Sequence, residues 1–344
     1  VIKYLISFVT GQVSQAAGDN YFTGFITESV EPIVWFAVFL LLTAAVVFIG
    51  VQKGIEKAST ILMPILIILI VCISIFCATR PGALAGVKYY LLPDIKHFSA
   101  TTVLAAMGQL FYSMSLAMGI MITYGSYMKK EDDLRDSVRK IEIFDTVVAL
   151  LAGLMIVPSV FAFSGGSKEA LSKGPSLMFV TMPKVFNSMK IGSLIGAGFF
   201  ILVLFAALTS AISLLETNVS IICDKLHWSR KKSTVVATLY CLIVGGLISL
   251  GYGPLSFIKI IGMSLLDFFD FISNSVLMPI VAMLTCIFIG YIVKPKTIID
   301  EVELGGKTFK EKKFYVVMLK YVAPVCLLLI LLFAVSEALG LIKV

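Results

Sequence analysis

Gly108-Gln109-Leu110-Phe111-Tyr112-Ser113-Met114-Ser115-Leu116-Ala117-Met118-Gly119 lies in the middle of an apolar block over 101–124. A block of this length crosses a bilayer as a helix, which takes about 20 residues. Its centre is an awkward place for two glycines, two serines and a glutamine. Glycine weakens a helix by about 1 kcal/mol relative to alanine, and serine satisfies backbone groups locally and so tolerates an unwound turn. One reading is a discontinuous helix whose freed carbonyls and amides face a cavity near the midplane. The other is a continuous helix that uses small residues for close packing.

Similar apolar blocks flank this one. They run over 32–52, 60–79, 141–163, 191–223, 234–252, 265–293 and 314–341, with short polar breaks between them. The chain has 344 residues, of which 59% are apolar and 14% charged, and a mean hydropathy of +1.00. Soluble domains are about 45–50% apolar and about 25% charged, so a soluble enzyme and a disordered chain are both excluded. The spans must be helices, because a barrel would show alternating segments of about ten residues. The fold class expected is an all-α, polytopic membrane protein.

Lysine and arginine set the orientation. One set of alternate loops carries Lys53, Lys57, Lys129, Lys130, Arg135, Arg139, Lys140, Lys225, Arg230, Lys231, Lys232, Lys294 and Lys296, then Lys307, Lys310, Lys312 and Lys313. The other set is poorer although its loops are longer, so the first set is cytoplasmic. The net charge of +7 and pI of about 9.0 follow from those loops and do not indicate nucleic-acid binding. The longest cytoplasmic connection, 294–313, contains Gly305-Gly306 and is expected to form a surface hairpin. Cys72, Cys77, Cys223, Cys241, Cys286 and Cys326 lie in or beside apolar blocks with no paired spacing, and read as packing residues. His97 and His227 sit in separate polar connections and make no metal site. The opening segment, 1–10, is too short to span. It is either an interfacial segment or half of a helix.

Polar groups at membrane depth are expensive and mark function. Thr209 and Ser210, with Ala206 one turn earlier, offer oxygen donors with little charge, which suits a monovalent cation better than a transition metal. The alternative is helix packing with each hydroxyl bonded back to the preceding turn. Asp145 stands about one turn inside its span, and Glu216 lies within another. Asp267 and Asp270 share a face at the outer end of a third, where Asp267 serves equally well as a charge stabilising the helix dipole. Nucleotide-binding, GxSxG and HExxH motifs are absent from the sequence and no catalytic constellation is visible, which disfavours an ATP-driven pump and an intramembrane metalloprotease, and no enzyme is expected.

Taken in order, these strings resemble the neurotransmitter:sodium symporter family, in particular prokaryotic amino-acid transporters with eleven spans. The matching strings are Gly54-Ile55-Glu56-Lys57 before Met63-Pro64, the 108–115 string, and Ile122-Thr123-Tyr124-Gly125-Ser126-Tyr127. They continue with Asp145 through Gly153 to Pro158, then Leu208-Thr209-Ser210 and Asp267-Phe268-Phe269-Asp270. The resemblance implies a LeuT-type inverted-repeat fold in one transmembrane domain over 1–344. On this mapping 1–10 is part of the third span and 32–79 holds two spans of the first repeat. The second repeat of five spans covers 101–293, and 314–341 is the last span. The first two spans and part of the third would then be absent, so the chain is expected to be a fragment that does not transport by itself.

The resemblance also implies roles. Tyr112, Ser113, Ser115, Met118, Ser210 and Leu214 would bind substrate. Ser113 and Asp145 would serve a first sodium ion, and Ala206, Thr209 and Ser210 a second. Asp270 would be an outer gate acid, and Asp224 with Tyr127 part of the cytoplasmic gate. Chloride-dependent relatives hold the anion with Gln and Ser of the sixth span and Asn and Ser of the seventh. Here Gln109 and Ser113 match the first pair, but Asp145 and Ala149 stand at the second. A carboxylate and chloride so close repel in a low dielectric, so Asp145 is expected to replace the anion. The function implied is sodium-coupled symport of a neutral, hydrophobic amino acid by alternating access, chloride-independent, in a bacterial-type plasma membrane. Sodium is the co-transported ion, there is no organic cofactor, and the partners are the amino acid and membrane lipid. An ion channel or a non-transporting membrane protein on the same fold is the alternative.

Overall fold

The computed structural model describes residues 1–93, 95, 98–166, 171, 174–304, 308–338 and 340. His97 and the expected hairpin at Gly305-Gly306 lie outside them. The described residues are helical apart from loops and one isolated bridge, Ile260–Met263. Helices α1 (Ile2–Val9), α2 (Val13–Ala16) and α3 (Tyr21–Thr27) lead into α4 (Glu31–Ile49). A π-helical turn, Val51–Glu56, joins α4 to α5 (Lys57–Ala78), followed by α6 (Ala83–Leu91). Next come α7 (Ala100–Ser113), α8 (Ile120–Ser126), α9 (Leu134–Ser164), α10 (Met182–Asn187), α11 (Gly192–Leu226) and α12 (Arg230–Ser249). The chain closes with α13 (Leu265–Asp270), α14 (Met278–Ile287), α15 (Pro295–Val302), α16 (Lys312–Val317) and α17 (Ala323–Ala338).

Among the described residues seven continuous helical segments are long and apolar enough to cross a membrane: Glu31–Ile49, Val51–Ala78, Leu134–Ser164, Gly192–Leu226, Arg230–Tyr252, Leu265–Val293 and Lys312–Ala338. The eighth block, 101–124, is broken. Several helices also run past the apolar blocks into charged sequence: α9 starts at Leu134 rather than near 141, which places Asp145 several turns inside its helix rather than one. A helix in water keeps its own hydrogen bonds, so the membrane boundary does not end it.

The chain divides into two units. The first is Val1–Pro93 with Thr146–Lys259. Its centre is aromatic: Tyr4, Phe8, Phe186, Phe199 and Phe200 are buried together with Met155, Val160 and Met182. Tyr4 donates to the Phe179 carbonyl at 2.8 Å. One face of residues 1–10, with Tyr4, Ser7 and Phe8, therefore belongs to the core, while Ile6, Val9 and Thr10 are exposed. Lipid tails are as apolar as leucine, so contact area rather than water exclusion holds such helices together, and small residues increase it. Gly196 shows how: a Cβ there would stand 2.1 Å from the Phe8 ring. Helix α6 fits α9 by two such hollows. A Cβ on Gly86 would meet the Pro158 backbone at 2.7 Å, and one on Gly153 the Tyr90 ring at 2.0 Å. Tyr90 also donates to the Ala149 carbonyl at 3.3 Å, and burial pushes its phenol above the ordinary value.

The second unit is Asp94–Asp145 with Ile260–Val344. Phe111, Met278, Ala282 and Leu327 form its core, with Ala117 and Met118 packed against it. Its long helices alternate α and π geometry, with π turns at Phe271–Leu277, Phe288–Val293 and Met318–Val322. Pro279 and Pro324 follow two of these turns. A proline removes one amide and crowds the carbonyl four residues back. For Pro324 that carbonyl belongs to Lys320, and it accepts a hydrogen bond from the Tyr291 hydroxyl at 3.2 Å.

Candidate ion and substrate site

The break predicted at 108–119 is present. α7 stops at Ser113, α8 starts after Gly119, and residues 114–119 are not helical. Ser115, Ala117 and Gly119 have φ of 55°, 60° and 80°. Two of the three are not glycine, and each such residue costs on the order of 1 kcal/mol or more. The backbone strain of this block is thus concentrated in five residues, 115–119. The break also creates two helix ends, whose carbonyls and amides lack partners within the helix. The discontinuous reading holds, and the continuous one is corrected.

Two predicted ion ligands meet there. Ser113 Oγ donates to Asp145 Oδ2 at 2.9 Å and lies 3.3 Å from the Leu110 carbonyl. Asp145 is partly exposed, and among the described residues no lysine or arginine pairs with it. Gln109 precedes Ser113 by one turn, and its side chain is exposed, as is that of Tyr112. Met118 is half-buried and packs on the Phe111–Met278 core. All these residues belong to the second unit.

The other predicted group belongs to the first unit, on α11. Thr209 Oγ1 lies 3.0 Å from both the Phe205 and Ala206 carbonyls and donates back to them. Ser213 and Thr217 repeat the pattern at 3.0 Å each. Back-bonding is therefore the arrangement present, and it keeps the Thr209 hydroxyl and the Ala206 carbonyl together as neighbouring oxygen donors. Ser210 and Leu214 are exposed on the same helix.

The remaining acids separate by their partners. Asp267 completes the cap of α13: Ser264 Oγ accepts from its amide at 3.2 Å and donates to its carboxylate at 2.6 Å. Asp270 accepts from Asn274 Nδ2 at 2.6 Å and is exposed. Tyr127 lies 6.3 Å from Tyr124, centroid to centroid, while Asp224 is exposed near the end of α11, in the other unit.

Glu216 has a partner that sequence reasoning did not assign. Its side chain is 0% exposed and forms a two-pronged ion pair with Arg230. Arg230 also donates to the Val47 carbonyl from Nε at 3.2 Å and Nη2 at 3.1 Å. One guanidinium thus joins the end of α4, the middle of α11 and the start of α12. The available signal was the short turn over 227–229, which folds Arg230 back beside α11.

A multi-pass membrane protein with a span broken by strained residues, and at the break a carboxylate that no lysine or arginine pairs with among the described residues, has the features of a secondary transporter of the discontinuous-helix class. Comparison with known proteins narrows the class. The model of the sodium:neurotransmitter symporter family matches residues 24–341. An uncharacterised sodium-dependent transporter of Bacillus subtilis is 34% identical over 338 residues, covering 96% of this chain and 74% of the relative. The sodium- and chloride-dependent glycine transporter 1 of Xenopus laevis is 29% identical over 308 residues, covering 85% of this chain and 47% of the relative. The crystal structure of MhsT in complex with L-phenylalanine superposes with a TM-score of 0.85 at 36% identity, covering 97% of this chain and 75% of that one. The chain belongs to the sodium:neurotransmitter symporter family. It has the LeuT-type fold, is an integral multi-pass membrane protein, and belongs to a family of sodium-coupled symporters rather than enzymes.

Proposed function

We propose that the symporter carries a neutral, hydrophobic amino acid with sodium by alternating access and does so without chloride. The Ser113–Asp145 contact at the helix break supports this most directly. A hydroxyl donor holds the carboxylate in place but does not neutralise it, so a sodium ion supplies the missing positive charge. A chloride ion beside the same carboxylate would raise the cost of the site instead. Within the second unit, Ser113 and Asp145 serve the first sodium ion, while Tyr112, Ser115 and Met118 meet the substrate. Within the first unit, Ala206, Thr209 and Ser210 serve the second sodium ion, and Ser210 and Leu214 the substrate side chain. Asp270, and Asp224 with Tyr127, are the gate groups. The two inverted repeats give the alternation, with sodium binding one gate state better than the other.

The bound L-phenylalanine in MhsT supports a hydrophobic substrate. At the position of Ala149 the hydroxyl that chloride-dependent relatives use is missing, which supports independence from chloride. The test is amino-acid uptake by the protein in liposomes carrying a sodium gradient. Replacing chloride by gluconate should leave uptake unchanged, and Asp145→Asn with Ala149→Ser should make it respond to chloride. A wild type that needs chloride would overturn the role given to Asp145. Competition by glutamate, lysine or GABA alone would overturn the substrate class.

A further inference from the structure

We infer that the cytoplasmic junction of α4, α11 and α12 is a binding surface for the headgroup of an anionic phospholipid. All of its parts belong to the first unit. α11 ends at Leu226, His227 turns the chain with φ of 53°, and α12 begins at Arg230. This tight hairpin gathers Lys225, Trp228, Lys231 and Lys232. α4 ends beside it: Arg230 Nε lies 3.9 Å from where a Cβ on Gly50 would stand, and Lys53 follows on the π turn.

Two features distinguish this cluster from an ordinary solvated loop. Glu216 takes up the charge of Arg230 below the surface, and Arg230 in turn fixes the end of α4 through the Val47 carbonyl. The foundation is therefore rigid and close to neutral. Above it, two ammonium groups rest on aromatic rings rather than on carboxylates. Lys231 Nζ stands 5.7 Å from the Phe48 ring centre, and Lys232 Nζ 3.8 Å from that of Trp228. Such rings sit at the membrane boundary, and lysines drawn down onto them hold their charge at the depth of lipid phosphates. On these turns Lys53, Lys225, Lys231 and Lys232 face two acids, Glu56 and Asp224, so the surplus is positive. Phe48, Ile49 and Leu226 are exposed apolar side chains beside the lysines, and they offer the acyl chains a place that a soluble anion would not use. A basic cluster immediately cytoplasmic of spanning helices attracts acidic lipid with about 1 kcal/mol per lysine near the surface.

Trp228 is a built-in reporter. The chain carrying Trp35→Phe, in phosphatidylcholine vesicles, is titrated with brominated phosphatidylglycerol or with brominated phosphatidylcholine at equal mole fraction. The expected result is a preference of about fivefold to thirtyfold for phosphatidylglycerol in quenching Trp228, the factors that about 1 kcal/mol from one or from each of Lys231 and Lys232 give, shrinking as salt is raised. Lys231→Gln with Lys232→Gln should bring the two lipids to parity, whereas Lys310→Gln with Lys313→Gln should keep the preference. Equal quenching by both lipids, or a preference that survives loss of Lys231 and Lys232 or high salt, would overturn the inference. So would a preference abolished by inorganic phosphate at constant ionic strength, since that would make this a site for soluble anions.

Discussion

Asp145 and Glu216 are both carboxylates within long apolar helices, and their surroundings are opposite. Glu216 is sealed from solvent and matched by a guanidinium that also ties down a third helix. Asp145 is partly open, held by a neutral hydroxyl, and stands beside a span whose backbone is strained out of helical geometry. A charge already neutralised by its own chain fixes structure. A charge left for something else to neutralise can bind and release a cation. The burial of an acid does not separate these two roles, but the charge of its partner does.

The strongest way to break this comparison is to remove Glu216. Glu216→Ala leaves the partly exposed Arg230 without its carboxylate and should cost at most about 3–5 kcal/mol of stability. The expected observation is loss of folded protein on detergent gel filtration, recovered in part by Glu216→Ala combined with Arg230→Met. If Glu216→Ala alone runs and melts like the wild type, the pair is not structural.

Asp145→Asn should do the reverse, leaving the melting temperature within a few degrees while weakening sodium. Losing a unit charge near the ion is worth up to about 4 kcal/mol at an effective dielectric of about 20, and the amide oxygen retained by asparagine offsets part of it. A fall in sodium affinity of about tenfold to a hundredfold is expected from sodium-dependent substrate binding. Unchanged sodium affinity would place the ion elsewhere.

Packing sharpens the contrast further. Gly196→Ala puts a methyl group into the Phe8 ring and should cost about 1–3 kcal/mol. Gly246→Ala, with nothing within 4 Å of the added carbon, should stabilise α12 by roughly 0.5–1 kcal/mol. Thermal melts of the two variants should move in opposite directions.

The smallest effect concerns pH. Lys184 beside Asp19 holds that carboxyl below its usual range. A depressed carboxylate pKa means that the stabilisation is present above the ordinary carboxylate pKa and is lost as pH falls through the lowered one. The wild type and Lys184→Met should therefore differ slightly in melting temperature near neutral pH and converge in acid. A difference that grows in acid would contradict the assignment.

The spans were legible because bilayer thickness imposes long apolar runs, and the break was legible because Gly108, Ser113, Ser115 and Gly119 all disfavour helix in one short stretch. The meeting of Ser113 with Asp145 came from resemblance, since nothing local relates positions 32 residues apart. The Arg230 bridge was missed because its parts lie on three helices, and only the turn over 227–229 brings the last two together. The π turns left little trace, since one extra residue in a turn barely alters an apolar pattern. Helix ends were misplaced wherever a helix continued into water, as at Leu134.

Helix α6 and the outer half of α9 are keyed together twice, by Gly86 against Pro158 and by Tyr90 over Gly153. Each key sits where a side chain on the glycine would clash, and the Tyr90 hydroxyl on the Ala149 carbonyl adds a polar tie between the same two helices. Within the first unit the two segments are therefore joined as one piece, so a change that displaces the 83–91 segment must also disturb its fit to Gly153 and Pro158.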